Sequence, residues 1–337
     1  MIDLNPHQVP DEHDLIMSPP PDVPGWSQNI QFSCHLGEQG GGIWVHASSI
    51  GIGRPPLWEM VCTVLLPGKD GALHARTFGR PTRPGTASSG PHTLTVLAPR
   101  QRWSMQFDGM ARRIDPAEAF LAPVPDGDVE PLRAELIIEA HGPIWSLEGA
   151  GGRMDAQDWA RLHTEQAVRV HGTIQAGDRE LSVDHIGIRD VSAGARNFDS
   201  LLGHTWASCS FPDGRFIGAY QVRSRGAVPG IEHGMHWDGH TLHNISNIRT
   251  APLTSSTGQP ERSEITFIGP DGPSTVTVEV QQAMIYSLSS AGRIIAGADL
   301  GTYDLFDIEC PAIFEWQGQR GLGWLERSAR ASELGLS

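Results

Sequence analysis

The chain has 337 residues, a length that suits two domains of roughly 150 residues better than one core. Its 39 glycines and 25 prolines are too many for a helical protein, and 39% hydrophobic against 19% charged residues exclude a disordered one. The formal charge of −14, without clustered Lys and Arg, excludes a nucleic-acid-binding surface.

The N-terminus (MIDLNPHQVPDEHDL) is polar and acidic, so no secretory signal is expected and the cytoplasm is the expected location. No apolar run reaches the length of about 18 residues that a membrane helix needs. Residues 79–91 (GRPTRPGTASSGP) read as a long loop, and 94–98 and 132–140 as strands. Residues 156–164 (AQDWARLHT) read as the one helix, with Asp155 as its N-cap. That helix divides the chain into an N-terminal barrel over 1–160 and a C-terminal barrel over 161–337. Strands are expected at 167–174, 211–220 and 274–280. Asp-Gly pairs at 70–71, 108–109, 126–127, 213–214, 238–239 and 271–272 supply the positive φ angles of tight hairpin turns. Repeated short strands joined in this way predict an all-β protein of sandwich or barrel type.

The four cysteines (Cys34, Cys62, Cys209, Cys310) are far apart and form no CxxC pair, so neither a zinc site nor a redox motif is expected. No glycine-rich phosphate loop and no Gly-x-Ser-x-Gly elbow occurs. Nicotinamide, phosphoryl-transfer and α/β-hydrolase chemistry are therefore not expected, and no cofactor is implied.

Residues 165–220 carry a Gln followed by a V-x-G strand, a strand ending in Arg189-Asp190, then a Ser, a Gly, an aromatic-containing strand and an Asp-Gly hairpin. Segments 43–59 (IWVHASSIGIGRPPLWE), 103–109 (WSMQFDG) and 321–327 (GLGWLER) fit the same frame. The chain thereby resembles the carotenoid-hydratase and AttH-like superfamily of tandem lipocalin-like barrels, which includes kievitone hydratase. The resemblance implies two such barrels enclosing a small hydrophobic or aromatic molecule. The family's Arg-Asp-His-Ser-Trp-Gly-x-Arg-Asp-Trp pattern keeps Arg189, Asp190, Ser192, Gly194 and Arg196 here. Val191, Ala193, Asn197 and Phe198 replace its His, both Trp and second Asp. A proton-transfer role for that histidine is lost.

Adjacent strand residues point to opposite faces, so Arg189 and Asp190 do not share a cavity unless a bulge intervenes. The pair is either a buried clamp or part of a ligand site. His204 alternates with Trp206 on one strand face and could line a cavity. Glu326, after Gly323 and Trp324, could donate a proton if buried in an apolar barrel. His204, Asp190 and Glu326 are thus the candidate catalytic residues, all expected in the second domain and converging if the last strand closes beside the Arg-Asp strand. Arg189, Arg196, Ser192, Trp206 and Trp324 are the candidate substrate-binding residues. Trp44 and His46 could line an interface between the barrels. A two-residue Asp238-Gly239 turn pairs Trp237 with His240 and sets His236 and His243 diagonally; local spacing offers no third ligand, so no metal site is expected. The resemblance implies a cofactor-free lyase or isomerase acting by proton transfer on a terpenoid, steroid or phenolic molecule. A non-catalytic carrier of a hydrophobic ligand is the alternative.

Overall fold

The computed structural model describes residues 3–17, 25–38, 40–50, 56–114, 127–251, 253, 262–288, 305–330 and 332. Asp126, residues 51–55 of the family-like opening segment and both chain ends lie outside that set. The first sheet holds β1 (Trp26–His35), β2 (Gly42–Ile50), β3 (Leu57–Leu65), β4 (Ala72–Gly79), β5 (Thr86–Ser89), β6 (His92–Ala98), β7 (Arg102–Ile114), β8 (Val129–Ser146), β9 (Leu162–Ala176) and β10 (Arg179–Ala195). It is antiparallel in the order β4-β3-β2-β1-β10-β9-β8-β7-β6-β5. A second β4–β7 pairing joins Ala72 to Ile114 and closes β1–β4 with β7–β10 into a ring of eight strands.

The second sheet holds β11 (Leu201–Ser210), β12 (Phe216–Ser224), β13 (Ile231–Trp237), β14 (Leu242–Thr250), β15 (Arg262–Gly269), β16 (Gly272–Val280), β17 (Met284–Leu288), β18 (Leu305–Trp316) and β19 (Gln319–Arg330). Its order is β16-β15-β14-β13-β12-β11-β19-β18-β17, and a β16–β18 pairing closes a second ring of eight that leaves out β17. The fold is all-β with two barrels, and among the described residues no helix is long and apolar enough to cross a membrane.

Four local expectations change. The helix at 156–164 is replaced by a 3₁₀ turn at Met154–Ala156 and the start of β9. Nine residues are too few to hold a helix unless one face docks, and here Trp159 and Ala160 are buried while Arg161 N–H donates to Ala193 O (2.7 Å). Residues 79–91 contain β5. Asp108-Gly109 lies inside β7, opposite Arg133 and Leu132 of β8, so it makes no turn. The remaining change concerns the domain boundary. β9 pairs with β8, and β10 with β1, so 162–195 belong to the first barrel. The chain crosses to the second sheet between Ala195 and Leu201, not at 160–161, because the two longest ladders of the first barrel run through β9.

The 213–214 pair does sit in the turn between β11 and β12, whereas Asp271 shares its turn with Pro270 and Gly272 opens β16 opposite Gly269. The 238–239 pair lies in a four-residue loop, because Trp237 pairs with Leu242 instead of His240. All four cysteines are buried and none is in a disulfide.

Both barrel interiors are packed. Phe32, Trp103, Met105, Phe107, Leu136 and Val170 are among the side chains that fill the first. In the second, the space bounded by Ala207, Phe211, Ile217, Phe267, Val276 and Phe314 amounts to about 10 Å³, barely one water. Among the described residues, that part of the barrel interior is filled by side chains.

Arg189 points into the first barrel and is 2% exposed. It pairs with Asp14, donates to Gln166 Oε1 (2.5 Å) and lies over the Trp103 ring at 5.2 Å. Asp14 sits in a 3₁₀ turn at Asp11–Asp14, so this pair ties the N-terminal segment across the barrel. Removing one partner of a buried pair costs about 3–5 kcal/mol, or roughly 6–20 °C for a domain this size. Arg189→Met is expected to lower the thermal midpoint by that amount. Arg189→Met combined with Asp14→Leu should recover most of it. A single variant as stable as the parent would show that the pair contributes nothing.

Candidate active site between the barrels

Every barrel strand has an outer face, and on β1, β2, β9 and β10 part of that face is covered by the second barrel. Cross-strand register lines the outer residues up in rows. One row runs Glu165, Asp190, Gln31, His46 across β9, β10, β1 and β2. The next runs His163, Ser192, Asn29, Ser48. The second barrel presents its own rows, Tyr220, Trp206, Glu326, Glu309 across β12, β11, β19 and β18, with His204, Ser328 and Asp307 beside them. Gln31 Nε2 on β1 donates to Glu326 Oε2 on β19 (2.8 Å), joining the two sets.

The polar groups form two histidine–carboxylate clusters around Tyr220. In the first, His163 Nε2 lies 2.8 Å from Glu165 Oε1 and 3.3 Å from Asp190 Oδ2. In the second, His204 Nε2 donates to Glu326 Oε1 (2.5 Å), with Asp307 Oδ1 at 3.8 Å and Ser328 Oγ at 2.6 Å from Nδ1. The Tyr220 ring stacks on His163 at 4.8 Å and 16° and stands 6.2 Å from His204. Trp159 closes the side, edge-on to His163 at 5.8 Å. Tyr220 is 8% exposed and the Asp190 side chain 15%, so the rim at these two groups still meets solvent.

Burial and charge set the protonation states. Desolvation disfavours a proton on His204, but Asp307 and then Glu326 outweigh it, and the pKa rises. His163 follows the same logic: burial opposes the proton, and Asp190 and Glu165 prevail. Burial pushes Asp190 up to about 6, with His163 pulling the other way. Burial, followed by Asp190 and Glu326, holds the Tyr220 phenol well above its usual value, so it stays neutral and can donate. Burial lowers His46 to about 4, and this neutral ring stacks on Trp44 at 5.4 Å.

Glu309 and Glu326 face each other across β18 and β19 and hydrogen-bond to each other, so they share a proton. Glu326 already accepts from His204 and Gln31, whereas Glu309 accepts from Trp324 Nε1. The bonds from His204 and Gln31 keep the charge on Glu326, and burial keeps the proton on Glu309. Burial, then Glu326 and Asp307, raise the Glu309 pKa, while the bonds from His204 overcome burial and lower that of Glu326.

Asp190, His204 and Glu326 thus come together, but from two barrels. β19 pairs with β11 and β18, not with the Arg-Asp strand, so convergence comes from stacked outer faces instead of one closing sheet. β10 has no register shift at 189–190, which leaves Arg189 inside the first barrel and away from the site. Arg196 Nη2 donates to Ser192 Oγ (2.7 Å), so these two residues brace the site wall. Trp206 and Trp324 lie on the shared face, and Trp324 packs against Gly42, where a Cβ would sit 2.3 Å from its ring. Tyr220, His163, Glu165, Gln31, Asp307 and Glu309 were not singled out from sequence. Alternation on β9 and β19 groups His163 with Glu165 and Trp324 with Glu326, but only the contact between barrels shows that these faces are buried.

This arrangement defines a class: a double β-barrel protein whose buried ionisable groups gather between its barrels. The chain belongs to the family described as Domain of unknown function (DUF7064), whose model matches residues 10–331. Three solved structures share the fold. An AttH-type protein from Nitrosomonas europaea is 13% identical, with TM-score 0.57 over 90% of this chain and 91% of that one. Kievitone hydratase from Nectria haematococca is 11% identical, with TM-score 0.54 over 94% and 93%. CghA, crystallised with Sch210972, is 10% identical, with TM-score 0.56 over 95% and 97%. A comparison with curated proteins matched none.

Two predictions follow from the protonation states. A raised His204 pKa means its ion pair stabilises below the unfolded value of about 6.5 and fades as pH rises through the folded one. The thermal advantage of the parent over His204→Gln is expected at about pH 5.5 and should shrink by about pH 9. Glu309→Gln should fold normally, since the amide can donate to Glu326 and accept from Trp324. Glu309→Leu strands the Trp324 N–H and should cost about 1–3 kcal/mol in a denaturant melt.

Proposed function

We propose that this protein is a hydratase- or lyase-type enzyme that moves protons on a small hydrophobic molecule, with no redox step. The observation that carries this reading is the neutral Tyr220 phenol set between two buried histidine–carboxylate clusters of opposite barrels. One cluster can give a proton while the other receives one, which is the requirement for adding or removing water. In the hydration direction, the His204 imidazolium or the Tyr220 hydroxyl protonates one carbon of a C=C bond. Water bonds to the other carbon and loses its proton to Asp190, whose pKa of about 6 suits a base near neutral pH. Dehydration is the reverse. Trp206 and Trp159 supply apolar walls, and exclusion of bulk water strengthens each charge interaction.

The shared fold with a protein named kievitone hydratase supports the reaction class, and the aromatic walls support a terpenoid, steroid or phenolic substrate. The small space among the described interior residues of the second barrel weighs against a carrier that holds its ligand there. Catalysis is proposed to need no added nicotinamide or flavin, since the sequence has no dinucleotide loop.

The test is incubation with candidate hydrophobic metabolites, read by mass spectrometry as gain or loss of one water. His204→Ala, Glu326→Gln and Tyr220→Phe are each expected to lower kcat by about 10²–10⁴-fold. Thermal melts must show that they remain folded. Retention of unchanged ligand would support the carrier. Full activity in folded His204→Ala and Glu326→Gln would remove these residues from the chemistry.

A further inference from the structure

The hairpin of β13 and β14 brings together groups with no part in the Tyr220 clusters. Its four-residue loop places His236 directly opposite His243, with ring centroids 5.8 Å apart and planes tilted by 36°. His236 is 6% exposed, lies on the interior side of the second barrel and meets the edge of Trp316 at 5.1 Å. Neither of its ring nitrogens has a hydrogen-bond partner. A buried polar group left without a partner costs about 1–3 kcal/mol, and a ligand at His236 would relieve that cost.

His243 is oriented from behind. Its Nε2 donates to Asp238 Oδ2 (3.0 Å), which leaves Nδ1 as the free lone pair. Asp238 is itself fixed, because Oδ1 accepts the backbone N–H of His240 (2.7 Å) and Thr241 (2.6 Å). A carboxylate holding the far nitrogen of an imidazole is the usual support of a metal-binding histidine.

We propose that His236 and His243 form a site for a divalent transition-metal ion that favours imidazole, such as Zn²⁺, with Asp238 as the residue that positions His243. Zn–N bonds of about 2.0–2.1 Å let one ion join rings whose centroids lie roughly 5–6 Å apart. Arg215 also faces this end, but it is held by Asp213 at 2.6 Å and stacked on Trp316 at 4.4 Å, while Asp238 and Asp271 supply negative charge. The His243 side chain is 31% exposed, which gives the ion a route in and leaves room for water on its remaining positions. His92 makes the contrast clear: it too is buried with both nitrogens unpartnered, but the ring beside it is Phe107, which cannot ligate.

The experiment is calorimetric titration of the full chain with ZnCl₂ at about pH 7.5, with a parallel thermal melt. Expected is saturable uptake of one ion with a raised melting midpoint, both lost in His236→Gln and in His243→Gln. Asp238→Asn should weaken uptake by about 10–100-fold. No saturable uptake would overturn the proposal. So would uptake that persists in folded His243→Gln, since the ion would then sit on other groups. His243 stands at the rim, so that variant keeps the test valid if His236→Gln fails to fold. Either result is independent of the activity proposed for the Tyr220 site.

Discussion

The structure depends on one constraint: part of the outer surface of each barrel is taken out of water by the other. A closed barrel satisfies its backbone hydrogen bonds and packs its inner side chains, but its outer side chains answer to whatever covers them. On β1, β9, β10, β11, β18 and β19 that cover is protein. Charged and polar groups that would be solvated on an isolated barrel must instead find one another. Gln31 reaching Glu326 across the joint and His163 held between Glu165 and Asp190 are the direct result. The same burial strengthens each of these interactions and makes an unpaired member costly.

The same constraint produces the unequal proton affinities. Glu309 and Glu326 have the same chemistry and lie opposite one another, yet their donor sets differ. His204 and Gln31 hold the charge on Glu326, and burial keeps the proton on Glu309. Asp190 faces the same joint as Glu326 but takes its proton relationship from His163, on its own barrel. A site assembled from two rigid sheets thus presents carboxyl groups that differ widely in proton affinity with no loop to arrange them.

Much of the fold was legible in the sequence, because glycine-rich turns and period-2 strands carry it locally. The turn at Pro270-Asp271 joins β15 to β16 directly, and the strands expected at 132–140, 167–174 and 274–280 lie within β8, β9 and β16. Period alone could not decide 156–164, where alternation and helical spacing overlap and only the docking of Trp159 settles the matter. Nor could it reveal which barrel owns β9 and β10, since strand partners are non-local. The loop at 238–241 shows how much hangs on register: two extra residues turned a diagonal histidine pair into a facing one. For the site, Asp190, His204 and Glu326 could be chosen as polar residues at suspicious positions, but Tyr220 and His163 could not. Nothing in a tyrosine at the end of a strand shows that its ring lies between imidazoles from both barrels.

The Arg189-Asp190 dipeptide draws these threads together. Strand alternation sends Arg189 inward to Asp14 and Trp103, and Asp190 outward to His163 and the second barrel. One residue anchors the N-terminal segment inside the first barrel, and the next contributes a carboxyl with raised pKa to the joint. β10 is therefore under two independent demands at adjacent positions. A one-residue slip of the strand would put a carboxylate in the barrel interior and a guanidinium among the histidines. The neighbouring Val191 and Ala193 meet neither of these demands. Those two face the first barrel's side of the strand with Arg189, where shape and volume matter, and they carry no charge to the joint.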